Sequence, residues 1–327
     1  MPQPTKSDVH VNRPLTNISL AYIQSRSDFI ADQVFPNIPV TKQSDRYFKY
    51  DKDFWFRSEA QLRAPGTESA GSGFTVDSTP TYYAPVYAVH KDIDDQTVAN
   101  TDDPLNAERD ATIFVTQQML LKRDKLWAST YFTTGVWNGG TDWTGVSGTP
   151  STNQVKQWDA SGSDPVSDVT KAALVIQQQT SYKPNVLVIG PQVLQVLMNH
   201  SVVLDRIKYT QRGIVTLDLL AALFGVDRVL VANAVENTSQ EGQTGAYSFV
   251  FGKAALLCYA NPNPGLMQPS AGYTFSWNGL LGATGLGHRI KRFRIDAIES
   301  DRIEAEMAFD FKVVASDCGL YFTSLIA

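Results

Sequence analysis

The sequence has few of the residues that build metal and redox sites. Its 327 residues include 2 cysteines and 4 histidines, and the histidines follow no ligand spacing such as His-Glu-x-x-His. Cys258 and Cys318 lie in apolar, strand-like runs, which predicts buried free thiols and suits a reducing cytoplasm. Asp92, Asp94 and Asp95 form the densest carboxylate group, but they lack the glycine and the distal glutamate of a calcium loop. We therefore expect no metal ion and no cofactor, and we interpret the carboxylates as solvated charge.

Long apolar runs, an excess of positive charge and the common catalytic motifs are also missing. No stretch is apolar enough to span a membrane, and the first residues lack a signal peptide's apolar core, so we expect a soluble chain made inside the cell. With a net charge of −5, strong binding of nucleic acid would require a local basic patch. The sequence contains no phosphate-binding or dinucleotide-binding glycine motif and no Gly-x-Ser-x-Gly elbow. These absences count against an enzyme and favour a protein that works through contact surfaces.

Aromatic residues make up 11% of the chain and dominate two extended runs. Residues 47–57 alternate aromatic with charged residues, which is typical of a strand with one apolar face. Residues 81–93 form a second alternating run, and the small residues 64–73 separate the two. A two-stranded ribbon is marginal in water, so its aromatic face needs a partner, most simply another copy of the chain. An ordinary sheet in the chain's own core is the alternative. The residues expected at the contact are Phe48, Tyr50, Phe54, Phe56, Tyr83 and Tyr87.

A long helix is predicted to follow the ribbon. A capping residue precedes Pro104, and Glu108 and Asp110 lie near the positive end of the helix dipole. The helical pattern continues to about Thr134. Its apolar stripe consists of Ala107, Ala111, Phe114, Leu121, Ala128 and Phe132, with Ile113, Leu120, Trp127 and Tyr131 beside it. Residues 135–166, rich in glycine, proline and serine, are predicted to be a connecting loop anchored by tryptophans.

Residues 167–262 alternate helix and strand patterns, which predicts a mixed or partly parallel sheet flanked by helices. The predicted helices are 167–182, 191–199 and 217–224, and the predicted strands are 185–190, 227–232, 247–252 and 255–260. One functional hypothesis is an α/β enzyme built on this unit, although no nucleophile, metal or phosphate motif supports it.

Two long strands, at 288–299 and 302–315, are predicted to close the fold, with a turn at Ser300 and Asp301. The first carries a basic run whose charges split between the two faces of a strand, because successive side chains alternate. We expect the run to pair with acidic residues of neighbouring strands or subunits, and weak contact with DNA is the alternative. The run consists of Arg289, Lys291, Arg292 and Arg294, and the expected partners of the last two are Glu304, Glu306 or Asp310.

The order of these segments resembles that of the HK97-fold major capsid proteins of tailed double-stranded DNA bacteriophages. Two phrases strengthen the resemblance: Val34-Phe-Pro-Asn-Ile-Pro-Val40 before the ribbon, and residues 226–235 before residues 249–252. The resemblance implies an α+β, HK97-like fold. Its implied parts are an N-terminal arm (1–45), an extended β-ribbon or E-loop (46–95), the first part of a P-domain with its spine helix (96–166), an inserted α/β A-domain (167–262) and the closing strands of the P-domain (263–327).

The same resemblance implies a structural subunit, not an enzyme, that forms pentamers and hexamers of an icosahedral phage head around double-stranded DNA. The implied location is the virion capsid, after assembly in the host bacterial cytoplasm. The implied partners are other copies of the chain, a separate scaffolding protein, a portal, DNA through weak non-specific contacts and, as an optional partner, a decoration protein. No membrane contact is implied.

Two features expected in some relatives are absent from the sequence. No coiled-coil segment precedes the arm, so we expect a separate scaffolding protein. Residues 61–80 contain no lysine for an isopeptide cross-link, so we expect non-covalent stabilisation. The alternative function is an encapsulin-type cellular compartment shell, which shares the fold and would hold cargo protein instead of a genome.

Overall fold

The computed structural model describes residues 24–101, 105–208, 215–265, 267–281 and 288–327. Helices and strands are mixed along this part of the chain. Its α-helices are α1 (Ala31–Val34), α2 (Lys52–Trp55), α3 (Asp95–Ala99), α4 (Ala107–Tyr131), α5 (Pro165–Thr180), α6 (Pro191–Asn199), α7 (Ser201–Ile207), α8 (Leu217–Phe224) and α9 (Asn278–Leu281).

The strands form two larger sheets and three two-stranded ribbons. They are β1 (Asn37–Val40), β2 (Ser44–Arg46), β3 (Lys49–Tyr50), β4 (Val76–Asp77), β5 (Thr81–Tyr83), β6 (Val86–Asp94), β7 (Trp143–Val146), β8 (Gln154–Lys156), β9 (Val186–Ile189), β10 (Arg228–Val231), β11 (Val235–Asn237), β12 (Tyr247–Phe249), β13 (Ala255–Cys258), β14 (Gly272–Trp277), β15 (His288–Ile295), β16 (Ser300–Val313) and β17 (Gly319–Thr323).

A six-stranded sheet in the order β10-β9-β13-β17-β7-β8 separates two hydrophobic cores. Its outer pairs are parallel and its central pairs are antiparallel, so the predicted mixed sheet is confirmed. Val188 and its cross-strand neighbour Leu256 enter the core that contains α4. Leu187 and Leu257, one residue away on the same strands, enter the core beneath α5 to α8. Both faces are buried, which is why these strands read as continuous apolar runs.

The second sheet is organised by the long strand β16. Its first half pairs with β15 and with β6, and its second half pairs with β14, which in turn pairs with β1. Alternate β16 residues such as Ile303, Ala305 and Met307 are buried against α4. The residues between them, among them Glu304 and Glu306, lie on the other face. The predicted antiparallel pairing of the two long closing strands is confirmed.

The long helix begins later than predicted, and its predicted apolar stripe is confirmed only in part, since Ala111, Ala128 and Phe132 are buried. Residues 102–104, the predicted cap, lie outside the described residues, and the cap observed is Asn106, whose side chain accepts a hydrogen bond from the Arg109 N–H. Phe114 and Ile113, predicted to be apolar contacts, are exposed. The face that packs inward carries Ala111, Val115, Met119, Arg123, Asp124, Trp127 and Ala128.

The central α/β unit follows the prediction in its helices more closely than in its strands. Pro191–Asn199 and Leu217–Phe224 begin and end where the sequence places them. Tyr247–Phe249, predicted to join the main sheet, instead pairs with Val235–Asn237 in a separate ribbon. The predicted connecting loop contains two strands, Trp143–Val146 and Gln154–Lys156, which extend the six-stranded sheet at its β17 edge.

The predicted strand over residues 47–57 is wrong beyond Tyr50. The Asp51 carboxylate accepts a hydrogen bond from the Asp53 N–H and thereby caps the short helix Lys52–Trp55. The second aromatic run is also divided. Thr81–Tyr83 pairs with Ser44–Arg46, whereas residues 86–94 belong to the sheet of β16.

The turn between the closing strands comes earlier than predicted. It occupies Asp296–Ile298 and Glu299, which has a positive φ of 45°, so that Ser300 already belongs to β16. None of the helices in the described part of the chain is both long enough and apolar enough to cross a lipid bilayer.

Candidate assembly surface

The base of the aromatic ribbon, which we define as residues 44–83, is packed on the chain's own sheet. The Tyr82 ring stacks on Phe275 with centroids 4.6 Å apart, and Tyr47 stacks on the same ring at 5.7 Å. The Tyr83 N–H donates to the Asp310 carboxylate at 2.9 Å. The ribbon therefore leaves the β14–β16 sheet in a fixed direction.

Beyond its base the ribbon carries an aromatic cluster that the described residues leave largely exposed. Tyr50, Trp55 and Phe74 contact one another with ring centroids 5.7 to 6.2 Å apart. Trp55 is 52% exposed and Phe74 is 58% exposed. Lys52 pairs with Asp317, which holds this part of the ribbon beside the end of the second sheet. The result is a positioned but uncovered apolar surface, which is typical of a protein–protein contact site.

The far part of the ribbon is exposed among the residues that the structure describes. Every residue from 60 to 79 is exposed, and the Leu62 side chain is fully so.

The residues predicted at the contact fall into two groups. Phe48, Tyr50, Phe56 and Tyr83 are exposed, and Phe54 is partly covered by the Arg57 guanidinium. Tyr87 lies in strand β6 and packs on Phe309 at a centroid distance of 5.3 Å. The Tyr87 ring therefore already makes a packing contact within its own chain. A role of these six residues between subunits stays a prediction.

The basic run on β15 is paired with carboxylates of the same chain. Its two faces behave as predicted. Arg289 and Lys291 both bind Glu306, at 2.8 and 2.6 Å, on one side of the sheet. On the other side the partners are residues that the sequence did not indicate: Arg292 binds Asp301 and Glu108, and Arg294 binds Asp95. The expected pairing of Arg292 and Arg294 with Glu304, Glu306 or Asp310 is wrong, because Arg292 lies opposite Ile303 in the ladder.

The carboxylates at residues 92–95 also bind groups of the same chain. Asp92 makes a two-point contact with the Arg302 guanidinium at 2.7 and 2.8 Å, which lowers the pKa of Asp92. Asp94 accepts from the Thr97 N–H and caps α3. Among the described residues, no group of three or more histidine, cysteine or acidic side chains is arranged to hold a metal ion.

The two cysteines occupy the buried positions expected of free thiols. Neither Cys258 nor Cys318 forms a disulfide bond, and both side chains are buried. Burial raises the pKa of each thiol to about 12, so neither is a nucleophile at neutral pH.

One serine–histidine contact resembles part of a hydrolase site and was not indicated by the sequence. Ser163 Oγ lies 2.9 Å from His200 Nε2, and both residues are buried. However, His200 Nδ1 accepts the Val202 N–H, so the neutral ring carries its proton on Nε2 and donates to the serine. Nε2 therefore has no lone pair with which to take the serine proton. His200 caps α7, and the pair is not arranged for nucleophilic catalysis.

Two charged residues that the sequence analysis passed over lie in the interior. Arg123 and Asp124 of the long helix are each 2% exposed. A signal was present, because Arg123 lies four residues after Met119 and eight after Val115 on the buried stripe. A charge at such a position indicates a buried ion pair, since an unpaired buried charge is costly.

Comparison with known proteins places the fold. No family model matches the chain. It is 27% identical over 281 residues to the major capsid protein of Burkholderia phage BcepMu, covering 82% of this chain and 84% of that protein. It is 25% identical over 323 residues to the major capsid protein of Pseudomonas phage JBD67, covering 97% of both.

Solved structures agree with these sequence relationships. A phage-related protein from Bordetella bronchiseptica matches 92% of this chain and is matched over 93% of its own, with a TM-score of 0.69 and 20% identity. The capsid of cyanophage P-SCSP1u matches with a TM-score of 0.63 and 12% identity over 97% of this chain and 93% of that chain. An encapsulin from Synechococcus elongatus reaches 0.52 with 11% identity, over 95% of this chain and 92% of that chain.

The fold, with mixed helices and strands, therefore resembles that of phage capsid proteins. The chain's curated relatives are phage major capsid proteins, and the resemblance to HK97-fold major capsid proteins is confirmed.

Proposed function

We propose that this protein is a major capsid protein, a structural subunit of the icosahedral head of a tailed phage. The observation that carries the proposal is the similarity, along 82% and 97% of the chain, to two proteins that are both phage major capsid proteins. The uncovered aromatic cluster on a positioned ribbon adds a physical reason, because a shell subunit must present apolar surface to its neighbours.

Within this proposal each segment has a role in the shell. We assign residues 1–45 to an N-terminal arm, 46–95 to an E-loop, 96–166 and 263–327 to a P-domain with α4 as its spine helix, and 167–262 to an A-domain. The pairing of residues 86–94 with β16 supports placing the last part of the E-loop segment in the P-domain sheet. The ribbon would then extend from the sheet at its base.

The ribbon supplies the mechanism of assembly. Residues 60–79 are exposed throughout, and twenty residues are about what one partner contributes to a standard protein–protein interface of roughly 800 Å² per side. Laid across the P-domain of a neighbouring subunit, the ribbon would cover Tyr50, Trp55, Phe74 and Leu62. Repetition of one modest contact around closed rings then holds a shell without covalent links.

Double-stranded DNA, a scaffolding protein, a portal and a decoration protein are the further partners we propose, with assembly in the host bacterial cytoplasm. The pairing of all four residues of the basic run with carboxylates of the same chain supports weak, non-specific contact with DNA. An encapsulin-type shell is the alternative, and it is less well supported because both curated relatives are phage proteins.

The decisive experiment replaces exposed aromatic residues of the ribbon. The Trp55→Ala, Phe74→Ala double variant should change the free energy of unfolding by no more than about 1 kcal/mol, because both side chains are mostly exposed. It should nevertheless fail to form closed shells, as judged by negative-stain electron microscopy and size-exclusion chromatography.

The matched control is Leu174→Ala, which removes a side chain of similar exposure (61%) from α5, outside the ribbon. It should assemble as the unaltered protein does. Normal yields of closed shells from the double variant would contradict the role of the ribbon.

A further inference from the structure

The base of the ribbon rests on one cross-strand pair of the second sheet. Phe275 of β14 and Asp310 of β16 lie opposite each other in the ladder. Phe275 carries the stacked rings of Tyr47 and Tyr82, and Asp310 accepts the Tyr83 N–H. Phe275 and Tyr82 are both buried, so this contact, which we call the pivot, attaches the base firmly. A single contact at one end fixes where the ribbon begins better than it fixes the direction.

A second contact lies farther along the ribbon, at the short helix α2. Lys52, the first residue of α2, forms an ion pair with Asp317. Among the described residues, this is the one ion pair that joins residues 48–79 to the rest of the chain. The same helical turn ends with Trp55, a member of the aromatic cluster. The ion pair therefore acts close to the surface that the ribbon presents.

The backbone that carries Asp317 is held in place by the residues that follow it. Asp317 lies in the turn Ser316–Cys318, which connects β16 of the second sheet to β17 of the six-stranded sheet. The Cys318 side chain is buried. Gly319 lies so close to the Trp137 ring that an added Cβ would be 2.4 Å from a ring carbon. The Asp317 carboxylate thus has a fixed origin at the connection between the two sheets.

We propose that Asp317 is a positioning residue which, together with the pivot, sets the angle at which the ribbon leaves the chain. Two separated contacts fix a direction that one contact leaves open. The Lys52 and Asp317 side chains are 45% and 30% exposed, so their ion pair is weak and is screened by salt. The pivot consists mainly of buried rings, which salt does not screen. The angle of the ribbon therefore depends on ionic strength while its base stays attached.

Single-molecule fluorescence energy transfer on the full chain measures this angle at concentrations too low for assembly. The dyes are attached at Thr75→Cys, an exposed position of the ribbon, and at Leu174→Cys, an exposed position of α5. Cys258 and Cys318 are buried, and the pKa of each thiol is raised to about 12, so neither reacts with the dyes at neutral pH. We expect one narrow transfer efficiency in about 0.1 M salt and a shifted, broader one in about 1 M salt, because the screening length falls from about 10 Å to about 3 Å.

Charge reversal separates the ion pair from the other contacts of the ribbon. Lys52→Asp places two carboxylates together, so the transfer efficiency should shift already in low salt. The Lys52→Asp, Asp317→Lys double variant restores an ion pair with exchanged signs and should return the efficiency to that of the unaltered chain. The control is Arg206→Ala, which removes an exposed ion pair with Asp164 elsewhere on the surface and should leave the efficiency unchanged. An efficiency that Lys52→Asp does not shift, or that the double variant does not restore, would overturn the proposal.

The consequence for assembly rests on the proposed function, because the angle decides where the aromatic cluster reaches a neighbouring subunit. We expect Lys52→Asp to lower the yield of closed shells in electron micrographs and the charge-exchanged double variant to restore it. The energy-transfer measurement needs no shell, so the two proposals can fail separately. A shifted angle in Lys52→Asp, with normal shells from the Trp55→Ala, Phe74→Ala variant, would support the positioning role of Asp317 and contradict the role of the ribbon in assembly.

Discussion

At the scale of single residues, Phe35 shows how the segment before β1 is fixed in the core. Its ring is fully buried and contacts Trp127 at 5.5 Å and Tyr131 at 5.2 Å. The ring also rests on Gly272, where an added Cβ would lie only 2.4 Å from a ring carbon. The ring needs a position without a side chain, and the chain provides one at the start of β14.

Replacement of this glycine should therefore destabilise the fold through overpacking. We expect Gly272→Ala to lower the free energy of unfolding by about 1–3 kcal/mol, measured by urea denaturation. Gly148→Ala is the control, because nothing lies within 4 Å of an added Cβ there, and its effect should stay within about 0.5 kcal/mol. A Gly272→Ala protein as stable as the control would show that Phe35 moves aside freely.

At this scale, the sequence predicted the burial of side chains only where a local pattern of apolar residues indicates it. The buried thiols were predicted because apolar runs surround them. The contact of Phe35 with Gly272 was not predicted, since it joins residues 237 positions apart through packing. The aromatic cluster of Tyr50, Trp55 and Phe74 was found only in part for the same reason.

At the scale of secondary-structure elements, the residues that begin and end helices determined which predictions were confirmed. α6 begins with Pro191 in its first turn, and α8 is capped by Thr216 and followed by Gly225 in a left-handed conformation. Such signals are local, so the sequence predicts both ends of these helices. The aromatic run failed because Asp51 can cap a helix as readily as it can occupy the polar face of a strand. The pairing of β6 with β16, more than 200 residues away, has no local signal.

The start of the long helix offers a test at this scale. Asn106→Ala removes the acceptor for the Arg109 N–H, so we expect the free energy of unfolding to fall by about 1 kcal/mol. Asn106→Asp restores an acceptor and should retain most of the stability. Thermal denaturation followed by circular dichroism measures both variants. Equal losses in the two would indicate that the cap does not stabilise this helix end.

At the scale of the whole molecule, one sheet serves two cores. Strands β9 and β13 send alternate residues into each, so unfolding of these strands disrupts both cores at once. The sequence predicted that these strands are buried, because their apolar runs are continuous. It could not predict which alternate residues face which core, since that depends on helices from distant parts of the chain.

Shared strands predict that the two cores unfold together. Trp127 and Trp137 report on the core of α4, and Trp158 reports on the core beneath α5. Urea unfolding followed by tryptophan fluorescence and by far-ultraviolet circular dichroism should therefore give one coincident transition. The Trp143→Phe, Trp158→Phe double variant removes both tryptophans that contact the second core, and its fluorescence midpoint should still coincide with that of circular dichroism. Two separated transitions would contradict the coupling.

The exposure of residues 60–79 has a consequence for how such chains can diverge. The short ladder of Lys49 with Asp77 and Tyr50 with Val76 closes the segment at its base, and neither core touches what lies beyond. Each doubling of such a loop costs only about 0.6 kcal/mol of closure entropy. The fold of the single chain therefore sets no length for this segment. In the proposed shell, the neighbouring surface that binds the segment would limit its length, so we expect insertions and deletions here to affect assembly more than folding.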